Sequence, residues 1–94
     1  MTYVPHLDVL QTRCRSLAEE CDRIGTLFGL TNRPQEMVRE LTWARDTLNI
    51  LADGMNENED FPLFATLTIQ AIQKTRLGAW RTAAAYTAKQ AKGK

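Results

Sequence analysis

Residues 7–28 read LDVLQTRCRSLAEECDRIGTLF, and the spacing within this stretch decides the fold. Its apolar side chains fall at Leu7, Leu10, Cys14, Leu17, Cys21, Ile24 and Phe28. The steps alternate three and four without a miss, the pattern of a helix packed along its whole length. Pro5 suits a first turn, where a missing N–H costs nothing, and Gly29 stands near the end. The spacing predicts a helix over about 5–29.

Working outward, TNRPQEM (31–37) is punctuation. Asn32 is the expected N-cap, Pro34 fits the first turn, and Gln35 three residues on completes a capping box. A second helix follows over about 33–53, with Met37, Leu41, Ala44, Leu48 and Leu51 on one stripe and Asp53-Gly54 as its end. GMNENED (54–60) is a polar connection, and Asp60 or Phe61 with Pro62 opens a third helix over about 61–90. Gly78 is its weak point, at roughly 1 kcal/mol relative to alanine. Leu63, Phe64, Leu67, Ile69, Ala71 and Ile72 cover most of the circumference, as in a helix buried on several sides. No strand alternation or internal repeat is present. The expectation is all-α: an up-down-up three-helix bundle with a long third helix, in one domain over 1–94.

Ninety-four residues, 44% apolar and 24% charged, suit a folded domain with a thin core. Self-association is one source of extra stability for such a chain. No apolar run approaches the roughly 18 residues of a membrane span, so no membrane partner is expected. The opening MTYVPHLDVL lacks the basic-then-apolar order of a signal peptide, and a cytoplasmic address follows as the expectation. Cys14 and Cys21 on one helix lie about 10 Å apart, too far for a mutual disulfide. With His6 as the lone histidine there is no four-ligand metal set. The thiols are expected in the core, and neither a metal nor another cofactor is nominated.

The chain carries a net charge of +1, yet six of its 12 Lys and Arg fall after Asp60, its last carboxylate side chain. Lys74, Arg81, Lys89 and Lys92 lie within about 80° on a helical wheel, a stripe able to follow phosphates or an acidic protein surface. In an up-down-up bundle the same end holds Glu19, Glu20, Asp22, Glu36 and Glu40, which would neutralise much of it. Trp80 and Tyr86 point away from the stripe, towards packing, and leave it without a base-stacking platform. Arg76 falls among apolar neighbours and needs a carboxylate, for which Asp46 or Glu40 would serve; otherwise it grips an anionic ligand.

The most informative residues are on the second helix. Trp43 and Ile50 lie seven apart, hence on one line, and on the far side from the Met37–Leu48 stripe, flanked by Arg39 and Asp46. A monomeric bundle needs one apolar face from this helix, and Trp is enriched among residues that dominate binding energy. Trp43, Ile50, Arg39 and Asp46 are therefore the candidate partner-binding residues. The reading is a small non-enzymatic protein-interaction module (adaptor, regulator or inhibitor) that binds a protein partner and forms a homo-oligomer. Small proteins of phages and mobile elements commonly work this way. One alternative is a nucleic-acid binder using the basic C-terminal helix. Another is a small helical enzyme or anion binder lined by Arg13, Arg23, Arg45 and Arg76, although no spacing selects a catalytic set.

Overall fold

A computed structural model describes residues 7–31 and 33–92, the last two by backbone alone. The expected start at Pro5, and His6, lie outside the described residues, as does the Asn32 cap. Four α-helices follow in order: α1 (Leu7–Leu30), α2 (Gln35–Gly54), α3 (Phe61–Thr75) and α4 (Leu77–Lys92). Among the described residues there is no strand, and no helix is long and apolar enough to cross a membrane.

The α1 seam buries Cys14, Leu17, Cys21, Ile24 and Phe28, with Ala18 beside them. From α2 it meets Leu41, Ala44, Leu48, Leu51 and Ala52. Burying each large apolar side chain fully is worth about 1.5–3 kcal/mol, so this antiparallel hairpin is the main source of stability. Polar pairs fix its register: Gln11 Nε2 donates to the Ala52 carbonyl at 2.6 Å, and Arg45 Nη1 meets Asp22 at 2.7 Å. Gly25 faces Leu41 across the hairpin; a Cβ there would stand 3.5 Å from Leu41 Cβ, in ordinary van der Waals contact. The chain reverses after Phe28, whose carbonyl accepts from the Thr31 and Arg33 amides. Pro34 precedes α2 instead of occupying its first turn, with φ −52° and ψ 135° and no side-chain cap.

Gly54 closes α2 for a steric reason. An added Cβ would lie 2.6 Å from the Phe61 ring and 2.9 Å from the Asn58 amide. The turn across 55–60 folds back tightly onto the helix end, and Pro62 then takes its expected place in the first turn of α3.

The expected long third helix is two helices. Arg76 has φ −131°, far from the helical value although its ψ of −36° is helical, and ends α3. The interruption falls two residues before Gly78. Thr75 Oγ1 donates to the Ala71 carbonyl at 2.6 Å, a back-bond of the kind that bends helices. Beside it Arg76 reaches across to Glu40, so a long-range ion pair stands where the helix breaks. Ile69, Ile72, Leu77 and Trp80 are buried against the hairpin. The α3–α4 arm runs parallel to α1, as Glu20 with Arg81 shows, and antiparallel to α2. The result is a rod of 56 × 20 × 19 Å.

α4 stays packed as far as Thr87. Arg33 Nη2 and Nε donate to Thr87 Oγ1 at 2.8 and 3.1 Å, and Thr87 passes its own hydrogen to the Ala83 carbonyl at 2.7 Å. The guanidinium carbon is 5.7 Å from the Phe28 ring centre and 6.0 Å from that of Tyr86, within cation–π range. The tip of the hairpin and the last helix are thereby tied together.

Candidate functional site

Only part of α3 faces the hairpin. Ala65, Ile69 and Ile72 are buried, whereas Leu63, Phe64 and Leu67 are 59%, 48% and 53% exposed. The expectation that these side chains lie inside a helix buried on several sides is therefore corrected: α3 is covered on one side. On α2, Trp43 and Ile50 are 61% and 62% exposed. Both helices thus turn apolar side chains to the same outer surface.

Register joins the two sets into one face. Glu40 meets Arg76 at one end of the α2–α3 pair, and Gly54 meets Phe61 at the other. At 1.5 Å of rise per residue on both helices, Trp43 falls at the level of Ile72 and Gln73 and Ile50 at that of Ala65 and Thr66. At the first level the helices part around a groove of about 410 Å³, lined by Trp43, Leu67, Ala71, Ile72 and Trp80 with Glu40 and Arg76 at its edge. Lone surface hydrophobics are ordinary, but a contiguous apolar strip with a groove is the usual form of a contact surface.

Arg39 and Asp46 lie exposed along the outer edge of α2, beside Trp43 and Ile50 as expected. Asp46 accepts from Arg45 Nε at 3.0 Å, and Arg45, also held by Asp22, has its pKa raised by those hydrogen bonds. Arg39 takes part in no ion pair among the described residues.

The basic stripe divides. Arg81 makes a bidentate pair with Glu20, at 2.6 and 2.8 Å. Those hydrogen bonds hold the Glu20 carboxyl below its usual range, against the opposing effect of partial burial. Lys74 and Lys89 are exposed, and the Lys92 side chain lies outside the described residues. Arg76 donates to both Glu40 oxygens at 2.8 Å, the ion pair anticipated for it. Of the two aromatic residues expected to pack, Trp80 is buried and Tyr86 is not, at 59% exposed over Arg33.

Arg13 and Arg23 are exposed, and Arg45 and Arg76 reach surface carboxylates, so the four arginines line no common pocket. Cys14 and Cys21 are free and fully buried; desolvation raises both thiols, that of Cys21 to about 11. Among the described residues no group of three or more His, Cys, Asp or Glu is placed to hold a metal ion. Sequence reasoning found the α2 half of the face and missed its α3 half, although Leu63 and Leu67 are four apart and Phe64 and Ala71 seven, as residues on one helix side must be. No protein-family model matches this chain, and no curated protein or solved structure does either.

Proposed function

We propose that this chain is a small non-enzymatic protein-interaction module, working in the cytoplasm, whose binding surface is the outer face of α2 and α3. The observation that carries the reading is the groove lined by Trp43 and Leu67, both more than half exposed, with Ile50 and Phe64 exposed further along the same two helices. Aromatic side chains beside a groove are the usual anchors of a protein interface, and the flanking Arg39 and Asp46 supply a polar rim. Of the basic stripe that would serve a nucleic-acid surface, Arg81 is spent on Glu20, and Arg76 outside the stripe is spent on Glu40. Their pairing favours a protein partner over a phosphate backbone.

The test uses wild-type chain, Trp43→Ala and Leu67→Ser side by side as bait in native extract. Both variants keep the helical circular-dichroism signal and thermal midpoint of the wild type, since neither side chain is core. Both lose the proteins that the wild type retains. Equal retention by all three baits, or unfolding of the variants, overturns the reading.

A further inference from the structure

We infer that the α2–α3 face is covered by a second copy of this chain, packed antiparallel about a two-fold axis near Thr47 and Thr68. This rests on the proposal that the face is a binding surface, and it names the occupant. Three features of the face point the same way.

The first is charge. Arg39 and Lys74, with one carboxylate, Glu36, beside them, leave one end of the face net positive, and Glu57, Glu59 and Asp60 mark the other; all six are exposed and outside the ion pairs among the described residues. Between the ends lies the apolar strip. A two-fold interface must be complementary to itself, because each copy offers the same patch. With the copies antiparallel, each basic end meets an acidic end. With the copies parallel, like charges would face each other at both ends, which costs binding energy.

The second is shape. The groove beside Trp43 lies towards the basic end, and the protruding Phe64 and Leu63 lie towards the acidic end. A two-fold axis midway between Trp43 and Ile50 carries the Phe64 of each copy onto the groove of the other. The groove, at about 410 Å³, has room for a phenyl ring and its neighbours. Each copy therefore supplies both the projection and its socket.

The third is agreement between these two. The axis that seats Phe64 in the groove also brings the level of Arg39 onto that of Gly54, and that of Lys74 onto Leu63, each within about a helical turn of the 57–60 turn. No separate adjustment is needed to satisfy both. A foreign partner has no reason to match an arrangement in which one end of the face complements the other.

The experiment measures solution mass by sedimentation equilibrium over a dilution series, using the full chain. Wild type gives twice the chain mass at high concentration and dissociates on dilution. Phe64→Ser weakens the dimer by about 30-fold or more, as expected for an anchor removed from its socket, with the helical signal unchanged. Arg39→Glu with Lys74→Glu weakens it, and so does Glu57→Lys with Glu59→Lys. The chain bearing all four changes regains most of the lost affinity, because its ends are complementary again. A parallel dimer responds to none of the charge changes, so failure of the rescue overturns the antiparallel arrangement. A dimer indifferent to Phe64→Ser overturns the face. A wild type still monomeric at hundreds of micromolar removes the second copy as occupant. If Trp43→Ala nevertheless loses proteins retained from extract, the face remains a binding surface for another protein.

Discussion

α1 and α3 treat their apolar residues in opposite ways. α1 spends them on one stripe: Cys14, Leu17, Cys21, Ile24 and Phe28 are buried, and its exposed Val9 and Leu30 stand near the two ends. α3 is shorter and more uniformly apolar, yet it buries Ala65, Ile69 and Ile72 and leaves Leu63, Phe64 and Leu67 about half exposed. Stability needs one apolar stripe per helix in a small bundle. The second stripe of α3 lies outside the core, and the proposed binding surface is built on it. The hairpin is where apolar sequence is buried, and the α2–α3 face is where it is left exposed.

The sharpest way to break this comparison is to empty the hairpin seam. Phe28→Ala should cost about 3–5 kcal/mol, a large share of what a domain of this size possesses. Urea unfolding followed by circular dichroism measures it, and a loss below about 1 kcal/mol would deny the hairpin its dominant role. A smaller effect is expected at the joint between the two regions. Gly54→Ala forces a methyl against the Phe61 ring and should cost about 1–3 kcal/mol. Hydrogen exchange should show α3 losing protection before α1, since the clash pushes α3 off the hairpin without touching its seam.

The smallest effect concerns the Glu20–Arg81 pair, which ties α4 to α1. Glu20→Gln should lower the melting temperature by only about 1–3 °C at neutral pH, as exposed pairs contribute little. Its pH dependence is the more telling part. Arg81 depresses the folded-state pKa of Glu20, so the contribution is present above the unfolded value, around 4.5, and is lost as pH falls through the lower folded value. Wild type and variant should therefore converge in melting temperature as acid protonates the carboxylate. Divergence at low pH would show that the pair is not what holds α4.

Much of this architecture was legible because periodicity reports a single packed stripe faithfully. The seams of α1 and α2 follow from their three-and-four spacing, and the pairing of Arg81 with a carboxylate of α1 follows from the up-down-up course. Periodicity does not report how many neighbours a helix has. Leu63, Phe64 and Leu67 read as core because an apolar circumference suits either a central helix or one with a second, outward stripe. Trp43 and Ile50 escaped that ambiguity, since a complete stripe already stood on the opposite side of α2. The break falls at Arg76, two residues short of the Gly78 that marked the weak point of this helix. It goes with a threonine back-bond and an ion pair across 36 residues, neither of which local propensity records.

The two cysteines give the molecule a stopwatch. Both are free, both lie on α1, and both are fully buried, with burial pushing the Cys21 thiol up to about 11. An alkylating reagent reaches them only while α1 has lifted away, so the rate of mass gain times that event in the unaltered chain. The proportion of singly to doubly tagged molecules adds a second reading. Tags arriving in pairs mean that α1 leaves as one piece, and tags arriving one at a time mean that it peels from an end.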